Sequence, residues 1–374
     1  MKEFQNIFFE TTPPLFKREL SFSLVAERGV VGRVHNFGKK LYPLIILLAI
    51  AWQTQAQQYV QYTQFMFNKI ALNPAYAGSK EGPTFSGLYR TQWVQLDGAP
   101  VSQSFSFHTP ILGDKIGIGV SIHHDDIGPT NSWFYNLQYA YRVPLGRGHL
   151  ALGLQALIRS YRVDWQEVSS IQSNDPLFGA DGDQKFLPNI GAGIYYHADR
   201  FYAGASLPRI LRGDLTFFGS TDPNADFSFE ERHGLIMVGG IIPLTDKLKF
   251  KPDGLVKWTP NAPVDIDLHA GVVFMDLLNL GVTYRIGGIT GIQRRVTQPA
   301  SPGATPIPIT QTRNSGGESL DFILQILFSK NFKLGLAYDY TLSQVRDFHS
   351  GTYEIMVEYT LSQKQTGNTN PRFF

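Results

Sequence analysis

The chain has no cysteine among its 374 residues. That absence excludes disulfide bonds, thiolate metal sites, cysteine nucleophiles and a lipid-anchored N-terminal cysteine. No apolar run reaches the roughly 18 residues that a membrane-spanning helix needs. The net charge is only +2, and no basic run is interleaved with aromatic residues. The composition therefore does not favour thiol chemistry, a helical membrane protein or nucleic-acid binding.

One segment near the N-terminus has the composition of an export signal. Two lysines precede the apolar stretch 41–52, and polar and small residues follow as far as Ala56. A basic flank, a short apolar core and a small residue at the end are typical of a secretory signal, so cleavage after Ala56 is expected. A membrane anchor is the alternative, but the apolar stretch is short for a span. We therefore predict that residues 1–56 are an N-terminal extension and signal peptide.

From about residue 84 onward, apolar residues recur at every second position. In NSWFYNLQYAYRVPL (131–145), aromatic and aliphatic residues alternate with Asn136, Gln138 and Arg142. Such alternation is typical of a β-strand with one apolar and one polar face. The pattern predicts about 14 strands, at roughly 84–94, 101–109, 115–124, 131–144, 148–162, 188–197, 200–208, 231–243, 247–258, 263–275, 278–287, 318–328, 332–342 and 351–361.

The connections between these strands are unequal in a regular way. Tight connections follow most even-numbered strands, whereas the three long ones, 163–187, 209–230 and 288–317, all follow odd-numbered strands. Every long loop therefore lies at one end of the sheet. That arrangement predicts an all-β fold, an outer-membrane barrel of antiparallel up-and-down strands, with its tight turns and both termini in the periplasm. A large soluble β domain with one buried face is the alternative.

The predicted organisation has four parts. After the signal comes a periplasmic or plug-like segment, then the transmembrane barrel, then a periplasmic tail. Their predicted bounds are 1–56, 57–83, 84–361 and 362–374.

Opposite charges share the predicted inner face of the barrel. Lys249 and Lys251 are expected to lie beside Asp265 and Asp267. A selective pore concentrates one sign of charge at a constriction, so mixed signs favour a plugged, rigid lumen over an open channel. The inward charged residues on this phasing are Arg142, Arg159, Lys249, Lys251, Asp265, Asp267, Arg285, Asp321, Lys333, Asp339, Glu354 and Glu358.

No set of residues has the spacing of a catalytic or metal site. His123 and His124 are adjacent in a strand and so point to opposite sides, which prevents them from sharing a metal ion unless the strand has a bulge. Ser104, Ser106 and His108 share one face of the second strand, but no carboxylate is tied to them by spacing, and we interpret them as lumen lining. The sequence therefore predicts no enzyme, no metal and no cofactor.

The mature N-terminal region and several strands together resemble a known family. NPAYAG (73–78) begins with Asn-Pro, which favours a turn, and YRTQW (89–93) and GAPVSQSFSFHTP (98–110) follow it. With YAYRVPL (139–145) and the terminal NPRFF, these segments are similar to the PorP/SprF family of outer-membrane proteins of the type IX secretion and gliding machinery. The resemblance extends over about residues 57 to 374 of the chain.

This resemblance implies an integral barrel without enzymatic activity. Its implied partners are a secreted surface protein, which it helps to export or anchor, the periplasmic and outer-membrane components of the type IX machinery, and the lipid bilayer. A general or solute-specific porin is the alternative function. The residues that match the family motifs are Asn73, Pro74, Ala75, Tyr76, Ala77, Gly78, Arg90, Gln92, Trp93 and Pro100.

Two interpretations of those motif residues remain open. In the architectural one, the NPAYAG turn closes the periplasmic mouth or folds into the lumen, and Arg90 pairs with Glu354 or Glu358 across the barrel seam. In the functional one, this segment and the periplasmic tail contact other components of the machinery.

The outer loops 163–187 and 209–230 mix acidic, aromatic and glycine residues, which suits protein recognition.

Overall fold

The computed structural model describes residues 60–164, 184–214, 229–260, 264–287, 293–297, 308–312, 316–329 and 331–361. The predicted signal peptide, the C-terminal tail and most of the three long loops lie outside these residues. No helix in the described part of the chain is long and apolar enough to cross a membrane.

Fourteen antiparallel strands form one closed sheet, which confirms the predicted fold class. Each strand pairs with its neighbours in sequence, and the last strand pairs with the first, from Thr84 opposite Thr360 to Thr91 opposite Tyr353. The strands are β1 (Thr84–Thr91), β2 (Val101–Ile111), β3 (Ile116–Ile127), β4 (Thr130–Leu145), β5 (Gly148–Val163), β6 (Gln184–His197), β7 (Phe201–Arg209), β8 (His233–Gly240), β9 (Leu248–Trp258), β10 (Asp265–Phe274), β11 (Leu278–Gly287), β12 (Gly316–Leu327), β13 (Phe332–Thr341) and β14 (Thr352–Thr360).

Most strand bounds differ from the predicted ones by one to four residues, and the larger differences include the ends of β1 and β8 and the start of β6. β1 ends at Thr91 rather than at 94, because Trp93 has a φ of 51° and its N–H donates to Thr352 Oγ1 at 3.1 Å. β6 begins at Gln184, four residues before the predicted start at 188. β8 stops at Gly240, and Ile242–Pro243 continue the pairing with β9 after a one-residue break.

Short connections join the strands at one end of the barrel, and every long connection lies at the other. The turn after β2 has left-handed backbone at Leu112, Gly113 and Asp114, and the turn after β10 has it at Met275 and Asp276. Such conformations match the right-handed twist of the paired strands. We call this end of the barrel, which also holds the start of β1 and the end of β14, the tight-turn end, and the opposite one the loop end.

The loops at the loop end contain short strands of their own. Gly213–Asp214 pair with Phe229–Glu230, and Gln293–Thr297 pair with Pro308–Thr312. The long connection 288–317 therefore contains a pair of antiparallel strands.

The two faces of the strands meet different surroundings, as the alternation predicts. On β4, Leu137 is 60% exposed on the outer face, whereas Gln138 is 1% exposed on the inner face. Trp133, Tyr135 and Tyr141 are also exposed on the outside. An apolar outer wall with aromatic side chains near the strand ends suits a bilayer, because lipid tails accept apolar groups and the headgroup boundary accepts aromatic rings.

Candidate functional site in the barrel lumen

Residues 60–80, here called the lumen segment, run through the interior of the barrel. The segment forms two single-turn 3-10 helices, Lys69–Ala71 and Pro74–Tyr76. Asn73 caps the second one: its backbone is extended and its Oδ1 accepts the N–H of Ala75 at 3.0 Å. Proline at the first position of a helical turn needs no hydrogen bond, so the Asn-Pro sequence begins the turn at this point.

Charged side chains of the wall hold the beginning of the lumen segment. The backbone N–H groups of Thr63 and Gln64 donate to the two carboxylate oxygens of Glu354, at 2.9 and 2.8 Å. The Thr63 hydroxyl donates to Asp339 at 2.7 Å and accepts from Arg90. These bonds connect the segment to β1, β13 and β14, and hydrogen bonds to charged groups are the stronger kind.

The opposite wall holds the middle of the lumen segment through uncharged groups. The Asn73 amide donates to the carbonyl oxygens of Ile194 at 3.0 Å and Ala205 at 3.4 Å. The Ser206 hydroxyl donates to the carbonyl oxygen of Leu72 at 2.6 Å. Because the two walls hold different parts of one segment, the segment cross-links the barrel through its interior.

Glycines in the wall make room for the lumen segment. A Cβ atom at Gly153 would lie 2.1 Å from the backbone nitrogen of Ala75, and one at Gly117 would lie 1.9 Å from the carbonyl oxygen of Ala77. Both distances are far below van der Waals contact. The wall and the segment therefore meet backbone to backbone, which a larger side chain would prevent.

Two histidines of the wall contact the lumen segment. His108 Nδ1 accepts the N–H of Gly78 at 3.1 Å, and His123 Nδ1 lies 3.0 Å from the hydroxyl of Tyr62. His123 is buried in the lumen and His124 faces outward, stacked on Trp133 with 4.2 Å between ring centroids. The predicted orientation of the two adjacent histidines is confirmed. No group of three or more histidine and acidic residues within the described ranges could hold a metal ion.

A chain of alternating charges runs along the inner wall across seven strands. Asp267 contacts Lys257 at 3.0 Å and Arg285 at 2.9 Å. Arg285 then reaches Asp321 at 3.4 Å and Asp339 at 3.8 Å. Asp339 is shared with Arg90, at 2.8 Å, and Arg90 contacts Glu354 at 3.3 Å. The architectural interpretation expected Arg90 to pair with Glu354 or Glu358, and the observed partner is Glu354.

The prediction that Lys249 and Lys251 lie beside Asp265 and Asp267 is wrong. β9 and β10 are joined at the loop end, so the residues nearest that connection pair first, and Lys257 lies opposite Asp265. Lys249 instead contacts Asp276 at 2.6 Å, and Lys251 contacts Asp253 at 2.7 Å. Oppositely charged side chains do form ion pairs, but the antiparallel register gives them partners different from the predicted ones.

The ten motif residues divide between two regions of the molecule. Residues 73–78 lie in the lumen segment, whereas Arg90, which is 2% exposed on β1, contacts the beginning of that segment at Thr63. Gln92, Trp93 and Pro100 lie in the connection between β1 and β2, where the N–H of Gln92 donates to the carbonyl oxygen of Pro100 at 2.9 Å. The structure therefore does not bring the ten residues into one site.

The connection after β1 packs against the connection before β14. The N–H of Val94 donates to the carbonyl oxygen of Gly351, and the N–H of Ser350 donates to that of Val94, both at 2.9 Å. The rings of Trp93 and His349 lie 6.2 Å apart between centroids. We call this ordered pair of connections, residues 92–100 and 342–351, the loop-end platform. Leu96 and Phe348 are exposed on it.

A closed, 14-stranded antiparallel cylinder with an apolar exterior defines an outer-membrane β-barrel. Its interior is occupied by the chain's own N-terminal segment. Residues 54–359 match the model of the type IX secretion system membrane protein family PorP/SprF, and the chain belongs to that family.

Comparison with solved structures finds other barrels at low identity. Omp33 of Acinetobacter baumannii is 8% identical over 76% of this chain and 100% of its own, with a TM-score of 0.39. The monoaromatic hydrocarbon channel CymD is 13% identical over 83% and 96%, with a TM-score of 0.42. A FadL homologue of Pseudomonas aeruginosa is 12% identical over 81% and 95%, with a TM-score of 0.41. No curated protein matches the chain.

Several residues of the lumen site have no signal in the sequence. Thr63, Gln64 and Leu72 make bonds to the wall that depend on where a non-repetitive segment folds. Gly117 and Gly153 did offer a signal, because glycine at an inward position of a strand often marks a close approach of backbone. Even so, the glycines do not tell which segment approaches.

Proposed function

We propose that the protein is a non-enzymatic outer-membrane anchor that holds or helps to export a secreted surface protein at its loop end. One observation carries the proposal: the lumen is occupied by residues 60–80, bound on opposite sides to Glu354 and Ser206. A barrel whose interior holds its own chain is poorly suited to solute passage. We therefore expect the function of the barrel to involve the surfaces at its two ends.

The loop-end platform has the chemistry of a protein-binding surface. It is ordered by backbone hydrogen bonds, and it exposes Phe348 at 71% and Val345 and Leu96 at 37% each. Exposed aromatic and aliphatic groups on a rigid base favour contact with another protein, because burying them is favourable and little ordering is required. We assign this surface to the secreted partner. The tight-turn end and both termini then face the periplasm and the rest of the type IX machinery.

Co-purification tests this assignment. Tagged protein is purified from detergent-solubilised outer membrane, and a secreted surface protein is expected to be recovered with it. Phe348→Ser is expected to reduce that recovery at least about tenfold, since an exposed aromatic anchor contributes about 2 kcal/mol or more. Leu112→Ser is the matched control, because Leu112 is also 71% exposed but lies in a turn at the tight-turn end.

A second measurement separates the anchor from the porin. Purified wild-type protein in a planar bilayer is expected to show no large steady conductance, and cells lacking the gene are expected to keep their general permeability while losing one surface protein. A large steady conductance together with loss of solute uptake in the deletion strain would instead support the porin.

A further inference from the structure

A small cavity lies at the tight-turn end, between the lumen segment and the wall formed by β9 to β14. Its volume is about 30 Å³, which is room for roughly two water molecules or one small polar group. The residues that line it are Met66, Phe67, Lys69, Tyr76, Lys80, Lys251, Val273, Asp276, Asn279, Gln325, Leu327, Lys333 and Glu358.

Positive charge exceeds negative charge around this cavity. Four ammonium groups line it against two carboxylates. Lys80 and Lys333 share a single carboxylate, that of Glu358, at 3.7 and 2.7 Å. Two further charged groups form ion pairs with lining residues: Asp253 contacts Lys251, and Lys249 contacts Asp276, which adds one charge of each sign.

The lysines are held in place rather than free to reach solvent. Lys69 is 2% exposed, with its ammonium group 3.8 Å from the centroid of the Tyr202 ring. Lys251 is 1% exposed and bonded to Asp253. Burying several like charges together is unfavourable unless a counter-charge accompanies them. The arrangement is therefore preorganised for a further anion.

An amide in the wall is a further polar group that lines the cavity. Asn279 is 3% exposed and lines the cavity, and its Oδ1 atom has no hydrogen-bond partner among the described residues. Gln325 lies directly opposite it on β12. An unpaired buried oxygen is unfavourable, and exchanging the oxygen and the NH2 group by a half-turn of the amide would present a donor to an acceptor in the cavity.

We propose that this cavity binds a small carboxylate that enters from the tight-turn end. The carboxylate has two oxygens, which fits the volume, and ammonium and amide groups donate to them. The same chemistry is available from a free organic acid or from an acidic side chain of a peptide. The site lies at the end of the barrel opposite the loop-end platform, so it is independent of the surface assigned to the secreted partner.

The test uses full-length protein folded in detergent, with thermal stability and titration calorimetry as readouts. The probes are acetate and a short blocked peptide with one central aspartate, each compared with chloride at the same ionic strength and with the asparagine version of the peptide. Saturable binding of acetate alone assigns the site to free acids, and tighter binding of the aspartate peptide assigns it to a polypeptide. No saturable effect of either probe would overturn the proposal.

Variants locate the binding. Lys333→Met is expected to weaken it about tenfold or more, because one charge-assisted contact is lost. Lys257→Met is the matched control: both lysines are 13% exposed and each contacts a carboxylate, but Lys257 does not line the cavity. Asn279→Leu, which changes no charge, is expected to weaken binding as well. Equal affinity in the wild type and in all three folded variants would also overturn the proposal.

Discussion

Arg90 on the first strand and Glu354 on the last lie opposite each other where the barrel closes, with 3.3 Å between NH1 and Oε2. Glu354 also accepts the backbone N–H groups of Thr63 and Gln64. One carboxylate therefore joins the closing seam of the cylinder to the segment inside it. Closure of the wall and docking of the lumen segment are coupled through this side chain.

Glu354→Gln is expected to destabilise the folded barrel by about 3 kcal/mol, because the change removes one partner of a buried, hydrogen-bonded charge. The measurement is urea unfolding in lipid vesicles. Asp347→Asn is the control, since Asp347 is exposed on the loop-end platform and contacts Arg346 only at 3.8 Å. Equal unfolding midpoints for the two variants would show that Glu354 does not join seam and segment.

Gly153→Val is expected to displace the lumen segment, because even the first added carbon would lie 2.1 Å from the backbone of Ala75. Overpacking of this kind costs about 1–3 kcal/mol. The measurements are the free energy of unfolding and protease cleavage within residues 60–80. Gly87→Ala is the control, because its added Cβ would have its nearest neighbour at 3.5 Å. Protection from protease equal to that of the wild type would contradict this view of the contact.

Leu137→Arg is expected to cost about 2–4 kcal/mol in a bilayer, because the side chain lies on the outer face at the middle of β4. Leu145→Arg, at the strand end, is expected to cost about 0–1 kcal/mol, since a charge there reaches the interface. Unfolding in lipid vesicles measures both. Similar costs at the two positions would contradict the assignment of this face to lipid.

Orientation in the membrane is testable because the chain has no cysteine of its own. Phe348→Cys is expected to react with a membrane-impermeant maleimide on intact cells. Leu112→Cys, whose parent side chain is equally exposed at 71%, is expected to react only after the outer membrane is permeabilised. The reverse labelling pattern would invert the proposed orientation of the termini.

The sequence by itself determined the cylinder. Alternation along a strand is local, since successive side chains point to opposite faces whatever their neighbours are, and the unequal loops fixed which ends lie together. Leu137 and Gln138 illustrate this, because their faces follow from their positions alone. Only the tertiary structure decided which charges meet and what fills the interior. Thr63 and Glu354 are bonded although they are 291 residues apart, because the path of a non-repetitive segment is set by the packing of the whole barrel. Lys257 rather than Lys249 contacts Asp267, because the strand register is set in the same way.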